Sequence, residues 1–350
     1  MTQLTHGGDW AGYRAQYGHD ALDFSANVSP LGLPQGVANA IAAALPHADR
    51  YPDPLCRALR AKLAPHEGIP AESILCGNGA ADLIFRLAWA AKPRTALVTA
   101  PTFAEYAAAL EGAGCAVRRH FLQAEVDFAV TDSILSSITP EVDMVFLCQP
   151  NNPTGQLTPL PLVERILRRC EACGALLVVD ECFLDFLPDC DTLTAKALLG
   201  SKNLLILKAF TKLYGMAGVR LGYCLCANTA LLEAMQAAGQ PWAVSSLAQA
   251  AGLAALDETA YVAQVRALIA QQRPRLTAGL RALGLRVLDG RANYLLFQGP
   301  ETLGAALRQR GVVLRSCSNY PGLDGSWYRT AVRTGPENDE LLKTLAEVLA

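Results

Sequence analysis

Short apolar runs alternate with amphipathic stretches along most of the chain, and that alternation predicts the architecture. Continuous apolar runs at Thr95–Ala100, Met144–Cys148, Leu176–Asp180, Leu204–Ala209 and Leu221–Cys226 read as strands buried on both faces. Between them, Asp82–Ala91, Glu105–Gly112 and Leu160–Ala172 carry helical spacing. Buried strands separated by helices predict an α/β fold, with a mostly parallel sheet covered by helices. In such sheets a ligand sits beyond the carboxyl ends of the strands. Asn152, Asp180 and Lys212 all fall at or just after those ends.

After about Trp242 the pattern changes. A long helical region, Ser246–Leu283, broken near Pro274, leads to short apolar runs at Leu285–Leu288 and Tyr294–Phe297, then to a helix around Leu303–Arg310. This predicts a smaller α+β domain. The expected boundaries are an N-terminal segment, 1–40, packing with the small domain, a large domain, 41–243, and the small C-terminal domain, 244–350.

Composition narrows the functional classes. The chain has 350 residues, 51% of them hydrophobic, with Lys+Arg 30 against Asp+Glu 32. That length buries a sizeable core. Balanced charge leaves no footprint for nucleic acid or an anionic membrane, and points to a compact metabolic protein. Met1–His6 has neither a basic region nor an apolar core, so no signal peptide is expected, and no apolar run is long enough to span a bilayer. The 11 cysteines are scattered and odd in number, which fits free thiols in a reducing cytoplasm. Cys170 and Cys173 form a CxxC inside a helical pattern, with no second ligand pair beside it, so no metal site is expected.

The candidate chemistry centres on Lys212, which follows the strand Leu204–Ala209 and is itself followed by Arg220. Asp180 ends an apolar strand, where a lone carboxylate is costly without a cation. Asn152 stands beside a turn in Asn151-Asn152-Pro153-Thr154-Gly155. Gly77-Asn78-Gly79-Ala80-Ala81 precedes a helix, and free N–H groups there can cradle an anion with Thr211 and Arg220. An amine, a counter-ion for a pyridinium nitrogen, a donor to a phenolic oxygen and a phosphate cradle together suit pyridoxal 5'-phosphate. Each piece has a plainer reading. Lysines are mostly solvated, Asn152 is a turn residue, the glycines make an ordinary strand-to-helix turn, and Phe103 is core or stacks on the pyridine ring.

The order and spacing of these residues resemble the aspartate-aminotransferase family of pyridoxal-phosphate enzymes, the type I fold. The resemblance implies Lys212 and Asp180 as catalytic residues. It implies Gly79, Ala80, Ala81, Phe103, Asn152, Thr211 and Arg220 as further cofactor contacts. Tyr51, in Arg50-Tyr51-Pro52-Asp53-Pro54, resembles the tyrosine that reaches the neighbouring subunit's cofactor phosphate, which implies a homodimer. Two positions depart from the family pattern. Ala209 stands where a serine is common, and Phe183 stands where a tyrosine is common, which removes a phosphate contact and a donor to the phenolic oxygen.

Other segments are similar to the threonine-phosphate decarboxylases of cobalamin synthesis, within the same fold and close to the histidinol-phosphate aminotransferases. These are His6-Gly7-Gly8, Leu22–Asn27, Pro241–Val244, Leu314–Leu323 and Tyr328-Arg329. That resemblance implies decarboxylation of L-threonine O-3-phosphate, with His6, Gly7, Asn27, Asn152, Arg315 and Arg329 contacting the substrate and Arg333 a further candidate. Two anionic groups call for several cations, and planar guanidinium groups grip both. The alternatives are a histidinol-phosphate aminotransferase, which needs 2-oxoglutarate, and a catalytically silent pyridoxal-phosphate binder. Threonine phosphate and serine phosphate differ by one methyl, and no residue in the sequence identifies which is preferred.

Overall fold

The computed structural model describes residues 6–350. Its strands in chain order are β1 (Leu22–Asp23), β2 (Ile74–Gly77), β3 (Thr95–Ala100), β4 (Ala116–Phe121), β5 (Met144–Cys148), β6 (Leu176–Asp180), β7 (Leu204–Ala209), β8 (Gly222–Cys226), β9 (Arg286–Val287), β10 (Tyr294–Gln298), β11 (Val312–Val313), β12 (Arg315–Ser316) and β13 (Trp327–Ala331). A seven-stranded sheet runs in the order β2-β8-β7-β6-β5-β3-β4. Strands β4, β3, β5, β6 and β7 are parallel, while β8 is antiparallel to both β7 and β2.

The sequence explains the sheet. Strands β5, β7 and β8 are buried along their whole length, and β3 and β6 along all but the first residue. Each fully buried Leu, Ile or Val contributes about 1.5–3 kcal/mol. Strand β4 is the exception. As an edge strand it carries Arg118 and Arg119 and is partly exposed throughout, which blunts pairing with another sheet. Parallel neighbours need crossovers, and the helices Ala104–Gly112 and Leu160–Cys173 supply them.

Register brings the strand ends together. Cys148 pairs with Asp180, Ala209 with Gly222, and Gly222 with Gly77. The turns after β2, β5, β6 and β7 therefore open on one edge. Gly222 lets the helix Gly79–Ala91 approach closely, since a Cβ there would lie 2.6 Å from the Ala80 nitrogen.

The second part of the chain builds a four-stranded antiparallel sheet, β12-β13-β10-β9, and the parallel pair β1-β11. Phe24 follows β1, donates its N–H to Val313 and accepts from Ala331, which docks the N-terminal segment on this sheet. The helix Gln35–Ala44 instead sends Val37 into the large sheet's core, beside Ala248, Ala251 and Ala255.

One expectation is corrected. The region 246–283 breaks at residues 256–258 and not near Pro274, giving helices Ser246–Ala255 and Thr259–Ala282 with Pro274 inside the second. A proline removes the bond to the carbonyl four residues back. Here both Pro274 and Ala270 are exposed, so the proline falls on the solvent-facing side of the helix. Meanwhile Tyr261, Val265, Ile269, Leu276 and Leu280 keep the opposite face buried. Among the described residues, no helix is long and apolar enough to cross a membrane.

Candidate active site

Lys212 sits on the short helix Phe210–Leu213, which caps the carboxyl end of β7. Ala80, Ala81, Phe103, Asn152, Asp180, Thr211, Lys212 and Arg220 line one cavity of about 100 Å³, with Phe183 in the same wall. Burial, with the positive charges of Arg329 and Arg220, holds the Lys212 ammonium below the ordinary lysine range despite opposition from Asp180 and Cys182. That shift favours the neutral, nucleophilic amine. The Phe183 ring lies 5.6 Å from Lys212 Nζ and edge-on to Tyr294. Phe183 has no hydroxyl to give, and Tyr294 spends its own on the carbonyl of Asn151.

Asp180 forms one end of this cavity. Its Oδ1 accepts from the Cys182 N–H at 3.0 Å and its Oδ2 from the Tyr106 hydroxyl at 2.6 Å. At the other end, the helix Gly79–Ala91 presents its amino terminus beside Arg220. Gly79 has φ +80, and a Cβ there would meet Arg220 Nη2 at 2.5 Å, so glycine is required for the guanidinium to lie against the turn. Open N–H groups, a guanidinium and the Thr211 hydroxyl make an anion cradle.

A wider cavity of about 700 Å³ opens from the lysine towards the second sheet. His6, Gly7, Asn27, Asn152, Arg315 and Arg329 all line it. Arg329 donates to Asn152 Oδ1 at 2.5 Å and to the Ser25 carbonyl at 2.9 Å. Arg315 donates to Asn319 Oδ1 at 2.7 Å and lies over the Tyr320 ring at 5.3 Å. Residues 315 and 329 are direct partners in the β12–β13 register, so the two guanidinium groups rise from the same face. His6 Nε2 meets Glu105 Oε1 at 2.6 Å, and that contact holds the Glu105 carboxyl below its ordinary range.

These residues fit pyridoxal 5'-phosphate with an anionic substrate. The amine, the carboxylate and the anion cradle occupy one pocket. Both amide atoms of Asn27 and the Nε of Arg329 are buried without a hydrogen-bond partner, and buried polar groups call for one. Two sequence candidates stand elsewhere. Tyr51 is 80% exposed and stacks on Trp242 at 4.4 Å, outside the cleft of its own chain. Arg333 is not among the cavity-lining residues; it pairs with Glu337 and lies over Phe24.

Sequence reasoning missed Tyr106, Glu105 and Lys208. Lys208 lies within the apolar strand β7 and is 3% exposed. Burial alone would lower its ammonium, but Asp185, Glu181 and Glu67 outweigh that and push it up. Its signal was a charge inside a continuous apolar run, which demands buried anions nearby. Tyr106 carried no signal beyond helical spacing.

The family model described as aminotransferase class I and II matches residues 19–346. The chain is 40% identical over 332 residues to the threonine-phosphate decarboxylase of Salmonella typhimurium strain LT2, covering 94% of this chain and 91% of that one. It is 35% identical over 341 residues to the histidinol-phosphate aminotransferase of Desulfitobacterium hafniense strain DCB-2, covering 94% and 92%. Among solved structures it is similar to the histidinol-phosphate aminotransferase from Clostridium acetobutylicum, with TM-score 0.87, 27% identity and coverage of 93% and 98%.

Proposed function

We infer that this chain, which belongs to the aminotransferase class I and II family, is a pyridoxal 5'-phosphate-dependent carboxy-lyase acting on L-threonine O-3-phosphate. The product is (R)-1-amino-2-propanol O-2-phosphate, the linker of the cobalamin nucleotide loop, and serine phosphate is a candidate second substrate. The observation that carries the reading is the direct pairing of Arg315 with Arg329 across β12 and β13, in the cavity that Lys212 also lines. Like charges opposite one another destabilise a sheet, so this pair makes sense around a ligand with two anionic groups. The 40% identical decarboxylase supports the same reading.

Bound at Lys212, the cofactor supplies an aldehyde for the substrate amine and a ring that accepts the electron pair left when a Cα bond breaks. The chain decides which bond that is. Arg329, steadied by Asn152 and the Ser25 carbonyl, and Arg315, steadied by Asn319, grip carboxylate and phosphate. Held at both ends, the substrate loses its freedom about Cα, and loss of carbon dioxide is selected over loss of the Cα proton. Lys212, with its lowered proton affinity, then delivers a proton to Cα in place of the departed carboxylate. Phe103 and Phe183 wall the pocket and keep water from the reacting centre.

The test is carbon dioxide release from threonine phosphate by the protein loaded with pyridoxal phosphate, without any keto acid. Release supports the lyase. Turnover strictly dependent on 2-oxoglutarate rejects it in favour of histidinol-phosphate aminotransferase, which the 35% identical relative makes the competing reading. An unchanged visible spectrum with every candidate substrate indicates a silent binder.

Two further proposals attach to this reading. The exposed Tyr51–Trp242 pair offers an aromatic surface for a second copy, whose cofactor phosphate Tyr51 would reach. An active monomer in sedimentation ends that proposal. A cytoplasmic location is supported by the 11 free cysteines.

A further inference from the structure

Tyr106 is fully buried, on the helix Ala104–Gly112 that Phe103 caps. It does not line the cofactor-sized cavity, yet it holds the groups that do. Its hydroxyl donates to Asp180 Oδ2 at 2.6 Å. Its ring stacks on Phe146 at 4.7 Å and 19°, and meets the Phe103 ring edge-on at 5.5 Å and 79°. Phe146 lies on β5, whose last residue, Cys148, is the register partner of Asp180. One side chain thus ties the cavity's acid, its aromatic wall and the central sheet.

A terminal carboxylate torsion is broad and sets no direction by itself. Here the direction is set from outside. The Cys182 N–H takes Oδ1 and the Tyr106 hydroxyl takes Oδ2, which leaves the remaining lone pairs for the cavity. Burial, then the charge of Asp180, raises the phenol well above the ordinary tyrosine range, so it stays a donor at any working pH. We propose that Tyr106 is a positioning residue: through its hydroxyl it aims and fixes Asp180 for a protonated heteroaromatic nitrogen. The proposal rests on the reading that the Lys212 cleft holds pyridoxal phosphate. A purely structural tyrosine would need its ring and a partner for its hydroxyl, but would be indifferent to what Asp180 faces.

Equilibrium binding separates the two roles without measuring turnover. Tyr106→Phe keeps the ring and both aromatic contacts and removes only the hydroxyl. The full-length apoprotein is titrated with pyridoxal phosphate and with an analogue carrying CH in place of the ring nitrogen. Loss of one hydrogen bond to a charged group is expected to weaken pyridoxal phosphate roughly ten- to a hundredfold. The analogue, with no nitrogen for Asp180 to meet, is expected to hold within about twofold. Equal weakening of both compounds, or of neither, overturns the proposal. Asp180→Asn supplies the second arm. Adding Tyr106→Phe to it should change pyridoxal phosphate binding by less than about twofold, and a full further loss there overturns the proposal. Wild-type protein that binds neither compound rejects the cofactor reading itself, and the role of Tyr106 with it, a result distinct from all the others.

Discussion

Replacing Arg315 with glutamine tests whether the cleft is built for a doubly anionic substrate. Glutamine keeps a donor and most of the stem but removes the charge and the planar fork. In the protein by itself the terms oppose one another. The variant loses the hydrogen bonds to the Ser316 carbonyl and Asn319 Oδ1 and the contact with Tyr320, while relief of the like-charge pairing with Arg329 returns about 0.2–1 kcal/mol. Both bonds come from a charged guanidinium and are worth about 1.5–3 kcal/mol each, so global stability should fall by roughly 2–6 kcal/mol. Substrate binding is weakened separately. A hydrogen bond to a charged group contributes about 1.5–3 kcal/mol, so KM for threonine phosphate should rise by roughly 10- to 150-fold. The assay compares KM for threonine phosphate with the dissociation constant of pyridoxal phosphate and with denaturant unfolding, in wild type and variant. The reasoning is refuted if cofactor affinity falls as far as substrate affinity, or if KM stays put.

Two further outcomes are expected. Lys212→Ala should lose the visible absorbance and the borohydride-fixed label of the linked cofactor, and a retained label identifies a different lysine. Glu67 reports on the charge cluster around Lys208, where burial raises its carboxyl but Lys208, Lys196 and Tyr223 outweigh that and hold it below the ordinary range. A carboxyl lowered in the folded state contributes stability that is present above its unfolded value, about pH 4.5, and is lost as pH falls through the folded one. Glu67→Gln should therefore cost about 3 kcal/mol at neutral pH and flatten the stability profile below about pH 4.5. Parallel profiles for both proteins, read by denaturant midpoints, would contradict the assignment.

The buried strands were legible because each is a continuous apolar run, and Asp180 and Lys212 were legible because polar groups at the ends of such runs are costly without a purpose. Strands β3, β5, β6 and β7 start and stop where the apolar pattern does. The break of the long helix was misplaced because proline is a strong signal locally, while its cost depends on whether the freed carbonyl faces water. Arg333 looked like a substrate ligand because it lies close to Arg329 in the chain. The fold turns it towards Glu337 instead.

Local order along the chain therefore determined the layered α/β architecture, the lysine-bearing strand end and the set of charged residues available for chemistry. Which of those residues meet was decided only in three dimensions. The pairing of residue 315 with 329 depends on strand register. The grip of Tyr106 on Asp180 joins a helix to a strand that is not its sequence neighbour, and the anions around Lys208 come from two segments far apart in the chain. Periodicity records which face of an element is dry, since that preference acts residue by residue. Contacts between distant segments follow from how the dry faces stack, and that packing has no local imprint.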